Sequence, residues 1–501
     1  MGGAVQSWNP LWACLASLVA VVPIVWFGKR GMANAREGAT LAAGVVKFGL
    51  VLSMLPLVLG GEVVECTLVE ITPGLALAFR VDGLGMLFGL VASGLWIVTS
   101  VYAAGYMRGS KEHAQTRFAA FFAISLSATL GVAFSANLLT MYVFYEMLSL
   151  ATFPLVTHHQ DKEARTGGRT YLTYLLGSSI GFALPAMIFT YVRSGGNLDF
   201  SMAGVLAGTV TGGEGLVLLL LFVFGFAKCG LMPLHSWLPG AMVAPTPVSA
   251  LLHAVAVVKV GVFCVIRVVT GIFGVDFLRE LDVAVVLSWI AAFTVVTSSL
   301  IALTQDNLKR RLAFSTVGQL AYIVLGVSLL TPLGVTGSAL HIAAHAFGKI
   351  TLFFCAGAIF VATGKKYVSQ LEGLGKKMPF TMTAFLLGSL SVIGLPPTLG
   401  LLSKFYLVMG TLQAEQPWLL VVFLVSTILN AAYFLPVVYR AFFPSPKVGG
   451  GRPEKFSWAA VEEAPLACVI PLCVTAGLAV MFFVVPGVWV ELASSLVGGL
   501  K

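Results

Sequence analysis

Six ionisable side chains sit where an apolar run should exclude them. Glu146 interrupts "NLLTMYVFYEMLSLATFPLVT", and Lys47, Lys228, Lys259, Lys349 and Lys404 interrupt other runs of the same kind. A charge at the centre of a membrane span costs roughly 2.5–3.5 kcal/mol on insertion scales, and such residues commonly mark ion or proton paths. Lys47 lies near the end of its run, where a long stem reaches the interface, so snorkelling is expected of it. The deep set contains lysine and no arginine. Burial disfavours a charged amine while a nearby carboxylate favours it, so a lysine in a partly wet interior can take and give a proton. Arginine stays protonated. A purely structural set of buried ion pairs is the other reading of these six.

Histidines, which titrate near neutral pH, extend the set. His341, His345 and Lys349 in "HIAAHAFGKITLFF" fall at i, i+4 and i+8, along one face of a helix. His253 and Lys259 in "SALLHAVAVVKVGVF" are six positions apart, in adjacent turns and on different faces. Read from the residues alone, His253 and His341 serve equally as hydrogen-bonded core residues.

These side chains must be held by membrane helices. Of 501 residues 58% are hydrophobic and 10% charged, with a mean hydropathy of +0.95. Soluble domains carry about 25% charged residues. The composition therefore requires an all-α polytopic membrane protein. Runs long enough to cross roughly 30 Å of hydrocarbon occur near residues 11–27, 40–60, 83–106, 118–134, 137–157, 170–192, 215–234, 247–271, 282–303, 312–330, 337–362, 380–412, 417–439 and 464–490, fourteen spans in all.

Two of them look broken. "GFAKCGLMPLHSWLPGAMVAPTPVSA" places Pro233 and Pro239 after Lys228, and "SVIGLPPTLGLLSKFYLV" places Gly394, Pro396, Pro397 and Gly400 before Lys404. Proline removes a backbone donor and clashes with the preceding turn. The carbonyls so freed are tolerated at membrane depth only where protein or water satisfies them. The breaks fall in the seventh and twelfth spans, and an odd offset of five reverses membrane direction. Two inverted five-helix repeats are expected, spans 4–8 (118–271) and spans 9–13 (282–442), with spans 1–3 (1–117) before them and span 14 (463–501) after.

The net charge of +9 has a topological explanation. Twenty of the thirty Lys and Arg residues lie in loops after odd spans: Lys29, Arg30, Arg36, Arg108, Lys111, Arg117, Lys162, Arg165, Arg169, Lys309, Arg310, Arg311, Lys365, Lys366, Lys376, Lys377, Arg440, Lys447, Arg452 and Lys455. The opposite side and its margins hold only Arg80, Arg193, Arg267, Arg279 and Lys501. By the positive-inside rule the odd loops are cytoplasmic and both termini face outward across the inner (cytoplasmic) membrane. Nothing points to nucleic acid. The seven cysteines are isolated, with no spacing suited to zinc, haem or an iron–sulfur cluster, so neither a metal nor a cofactor is expected. The N-terminus "MGGAVQSWNP" lacks a basic n-region and reads as leading into a retained span.

Five motifs together resemble the antiporter-like subunits shared by Mrp-type cation/proton antiporters, respiratory complex I and membrane-bound hydrogenases. They are Tyr145–Glu146, "GFAKCGLMPLHSWLPGAMVAPTPVSALLHA" from Gly225, "LKRRLAFSTVGQLAYIVLG" from Leu308, "HAFGKITLFFCAGAI" from His345 and "GLPPTLGLLSKFY" from Gly394. The resemblance runs over spans 3 to 13. It implies that Glu146 pairs with Lys228, that Lys259 and His253 serve span 8, that His345 and Lys349 are central relays, and that Lys404 ends a hydrated polar axis. It also implies partners: other integral membrane subunits, the bilayer, H⁺ and, in the antiporter case, Na⁺. Lysine at 404 and the short C-terminus bring the pattern nearest to the D-type member of the Mrp antiporters. Gln319 stands where some members have histidine, which argues against a relay through span 10. No catalytic chemistry of the chain's own is implied, only a place in an antiporter or beside a redox module. His341 and His345 share one helix, the wrong placement for bis-histidine haem, and an inactive scaffold would not keep a lysine beside each break.

Overall fold

The computed structural model describes residues 3–72, 74–443 and 461–498; Lys447, Arg452, Lys455 and Lys501 lie outside them. With no water in hydrocarbon, backbone groups must pair within a helix, and among the described residues twelve helices are long and apolar enough to cross a membrane. They are α1 (Asn9–Lys29), α2 (Ala33–Leu59), α3 (Gly83–Gly109), α4 (Gln115–Ala133), α5 (Leu138–Val156), α6 (Lys162–Arg193), α8 (Thr246–Phe273), α9 (Ala284–Thr304), α10 (Leu308–Ser328), α11 (Pro332–Thr363), α14 (Pro417–Phe442) and α15 (Leu466–Val484). The chain is a multi-pass integral membrane protein.

The count is twelve rather than fourteen because the two spans expected to break are split. The first consists of α7 (Gly212–Gly225), a tight turn at Ala227–Cys229, Gly230 in the left-handed region at φ +69, and a short helix Trp237–Gly240. The second consists of α12 (Pro379–Ile393) and α13 (Leu399–Gln413), separated by Gly394 at φ +90 and the two prolines.

Helices apolar on every side belong in the middle of a bundle. α8 and α10 are buried over nearly their whole apolar windows and α11 over most of its own, whereas α1 and α2 are largely exposed. α8 is irregular. Its turns at Leu251–Val255 and Val268–Phe273 are π-helical, and Ala256 leaves helical geometry at φ −116, ψ −80.

One element departs from the all-α expectation. Residues placed in a loop form strands β2 (Val63–Thr72) and β3 (Leu75–Val81), paired antiparallel, and β1 (Ala4–Gln6) adds parallel to β2. The segments "VVECTLVEIT" and "LALAFRV" are rich in β-branched and alternating residues, which suit a half-covered sheet at the membrane margin.

Lys47 does not snorkel. It is fully buried, its Nζ donating to Leu126 O at 3.1 Å and lying 5.4 Å from the Trp96 ring. Its face of α2 packs inward, so the stem has no route to the interface.

Arg267, assigned above to a span margin, fastens α8 to α3. Its guanidinium donates to both carboxylate oxygens of Asp82, at 2.5 and 2.6 Å, and Asp82 also caps α3 by accepting from Gly85 N at 2.9 Å. Arg267 is buried and Asp82 partly exposed, so removing the arginine strands a partly desolvated carboxylate. Arg267→Ala is expected to cost about 2–4 kcal/mol, read as a lower thermal midpoint of the detergent-purified protein. An unchanged midpoint would show that the clasp contributes nothing.

Candidate functional site

The first break delivers Lys228 to α5. Lys228 Nζ donates to Tyr145 O at 2.9 Å and Ser149 Oγ at 2.6 Å, and it sits 3.0 Å from the centre of the Tyr145 ring. Tyr145 and Ser149 are one turn apart on the buried face of α5. Glu146 lies about 100° further round, half-buried, and its two oxygens make no hydrogen bond. The Lys228 charge acts on it through space. The contact pairing of Glu146 with Lys228 implied by the resemblance is therefore absent here, because the amine docks on the neighbouring face. Glu146 also borders a groove between α4 and α5, lined by Phe121, Ile124, Val143 and Leu150 and open on the flank of the bundle.

α8 carries the row into the centre. Lys259 Nζ lies 2.5 Å from His345 Nδ1 on α11, both residues being buried. His253 packs against Phe353, with ring centres 5.0 Å apart. His345 and Phe353 are eight positions apart and share one face of α11, so His253 and Lys259 approach the same neighbour. This overturns the expectation that they face apart. A π turn at 251–255 and the kink at Ala256 supply the rotation that ideal α-geometry lacks.

Lys349, one turn beyond His345, turns the other way. Its Nζ donates to Leu312 O on α10 at 3.2 Å and lies 5.3 Å from the Phe434 ring on α14. On the opposite side of His345, the His341 ring is stacked with its centre 6.0 Å away. His341 bonds Ser403 Oγ through Nδ1 at 2.8 Å and Gln319 Oε1 through Nε2 at 3.2 Å. Gln319 thus lies beside the row, its side-chain oxygen held by His341. Lys404 closes the set, donating to Ile393 O at 2.9 Å and facing the Tyr322 ring at 4.5 Å.

Lys259, His253, His345, His341, Lys349 and Lys404 gather around α11, while Lys228 and Glu146 lie on the α5 side, where the Lys228 backbone packs against Gly261 of α8. Sequence reasoning missed Ser149, Ser403 and Tyr322, and it set Gln319 aside. The signal was available: Ser149 is four residues from Tyr145, and Ser403 precedes Lys404 in an apolar helix.

Polar atoms remain unpaired within the row. Both ring nitrogens of His253, Nε2 of His345 and Nε2 of Gln319 are buried without a protein partner. Each such atom costs about 1–3 kcal/mol unless water bonds it. A cleft of ≈ 990 Å³ opens where α8 and α10 begin, lined by Glu112, His159, His235, Lys309 and Phe314 among others. A hollow of ≈ 370 Å³ lies at the other end of α10, lined by Arg279, Ser328, Thr331 and Gln413. Among the described residues, six non-glycine residues at positive φ divide evenly between the loops at these ends: Lys111, Ala114 and Gln160 at one, Asp282, Leu330 and Glu415 at the other.

A buried row of amines and imidazoles running past two broken helices defines a class of ion-handling membrane protein. The chain belongs to the NADH:quinone oxidoreductase/Mrp antiporter transmembrane family, whose model matches residues 135–430. It is 34% identical over 461 residues to the N subunit of the NADH-quinone oxidoreductase of Desulforudis audaxviator, covering 89% of this chain and 87% of that protein. It is 30% identical over 510 residues to the A subunit of the Na(+)/H(+) antiporter of Alkalihalophilus pseudofirmus, covering 95% of this chain but spanning 61% of that longer protein. The same fold occurs in an Mrp complex from Dietzia sp. DQ12-45-1b (TM-score 0.85, 21% identity, 98% of this chain and 97% of that one). It occurs again in an archaeal membrane-bound sulfane sulfur reductase (TM-score 0.85, 23% identity, 98% and 97%).

The placement of Lys228 rests on Gly261 of α8. A Cβ there would overlap the Cys229 amide and the Lys228 carbonyl, both backbone atoms with little freedom to move. Gly261→Ala is expected to destabilise the protein by about 1–3 kcal/mol through overpacking, measured by thermal melting in detergent. Gly177→Ala, at an exposed helical site with nothing within 4 Å, should leave the midpoint unchanged or slightly raised.

Proposed function

We propose that this chain moves protons across the inner membrane as one member of a multisubunit complex. Protons pass along Glu146, Lys228, Lys259, His345, Lys349 and Lys404, with His253 and His341 as flanking relays. The observation that carries this reading is the 2.5 Å contact between Lys259 and His345, two exchangeable groups from different helices at the centre of the row. The unpartnered nitrogens around it mark where water bridges the remaining gaps.

The cleft and the hollow at opposite ends of α10 supply the two openings of such a path. With the odd loops cytoplasmic and both termini outside, protons enter at the cleft near Lys309 and leave on the side of Gln413. Residues 118–271 and 282–442 act as inverted halves, each centred on its broken helix and its lysine. Residues 1–117 and 463–501 complete the bundle around them.

Other integral membrane subunits are the partners. The open apolar groove bordered by Glu146 offers a flank that a neighbouring chain would cover. Coupling follows one of two lines. Relatives named as antiporter subunits favour exchange against Na⁺ in an Mrp-type assembly, with its D-type member the nearest counterpart. The extent of the match to the N subunit of an NADH-quinone oxidoreductase favours a proton-pumping role beside a redox module.

In proteoliposomes holding the assembled complex, Lys228→Ala is expected to abolish proton movement followed with a pH-sensitive dye. Lys228→Arg should fail as well, since guanidinium holds its proton. Wild-type translocation by a correctly assembled Lys228→Ala complex would end the proposal.

A further inference from the structure

At the lip of the cleft, outside the row of amines, three histidines and a glutamate converge from two loops. Glu112 and His113 follow α3, and His158 and His159 follow α5. Donor atoms of Glu112, His113 and His158 all lie within 4.8 Å of one another. His159 Nε2 is 3.2 Å from Glu112 Oε2, and His158 Nε2 is 3.9 Å from the same oxygen. The rings of His113 and His158 have centres 4.8 Å apart, and those of His158 and His159 5.7 Å.

His158 is the informative member. It is 0% exposed, yet neither ring nitrogen has a hydrogen-bond partner. A buried imidazole with two idle nitrogens is costly in a purely structural role. Its backbone is fixed independently, because Arg117 Nη2 donates to His158 O at 2.8 Å. Glu112 and His159 line the cleft, which gives an ion a route in.

We infer that Glu112, His113, His158 and His159 form a binding site for a divalent transition ion of the zinc class. Imidazole nitrogens with one carboxylate suit a borderline cation that accepts four ligands at about 2.0–2.2 Å. The present separations exceed those of a closed tetrahedral shell, so side-chain rotations of His113 and His159, both on exposed loops, complete it. A bound ion would tie the loop after α3 to the loop after α5 at the mouth of the cleft.

Cobalt(II), which reports its coordination by visible d–d absorption, and zinc are titrated into the detergent-purified full chain. One equivalent of cobalt should give the bands of a four-coordinate site, and zinc should displace it. His158→Asn and Glu112→Gln should each weaken zinc binding by on the order of tenfold or more, as should His113→Asn, whose exposed side chain can be replaced without disturbing folding. His235→Asn, in the same cleft but outside the cluster, should bind as the unaltered protein does. Zinc affinity as high as that of the unaltered protein in both the His113→Asn and the His158→Asn proteins, with unchanged metal-free melting, would overturn the site. So would four-coordinate bands that survive both substitutions.

Discussion

An ammonium group inside an apolar bundle must find an acceptor, and this protein meets that need with main-chain carbonyls. Lys47, Lys228, Lys349 and Lys404 donate to the oxygens of Leu126, Tyr145, Leu312 and Ile393. Lys259 alone among the five has an ionisable partner, His345. A carbonyl offers partial charge and a spare lone pair, enough to lodge an amine but without the full counter-charge of a carboxylate. Four of the five amines are thus held by neutral acceptors rather than by a counter-charge. Aromatic faces at Lys228, Lys349 and Lys404 add attraction of the same undemanding kind.

Backbone irregularity positions these groups. Gly230 and Gly394 turn the chain through the left-handed region beside Lys228 and Lys404, and a side chain at 394 would meet the Lys404 stem at 2.6 Å. In the first half the lysine comes just before the break, in the second just after. The first amine is thereby brought onto α5 and the second to face Tyr322 of α10. Helices α8, α10 and α11 are dry on most sides, so the polar groups among them carry the consequence of every small shift.

Much of this was legible in the sequence, because hydrocarbon imposes a strict code. Apolar runs located the helices, prolines located both interruptions, and lysines in forbidden places marked the row. The i, i+4 spacing of His341 and His345 correctly put them on one face. What escaped has a common cause: it depends on rotation about helix axes rather than on residue type. The docking of Lys228 on Tyr145 and Ser149 instead of Glu146, the convergence of His253 and Lys259 on α11, and the inward turn of Lys47 all follow from how helices are rolled against one another. The sheet at Val63–Val81 was hidden by its place between two long spans. The histidine cluster was hidden by its two halves being some 45 positions apart, too distant for any local ligand spacing.

The π turn at Leu251–Val255 holds one residue more than an α-helix would over the same rise. Its effect is arithmetical: every side chain of α8 beyond it owes its compass bearing to that surplus. Excising a single residue there would swing Lys259 through about 100° and leave its chemistry intact but pointed at the wrong helix. In this stretch chain length, more than side-chain identity, is what the fold guards, and an indel would be harsher than most exchanges of one amino acid for another.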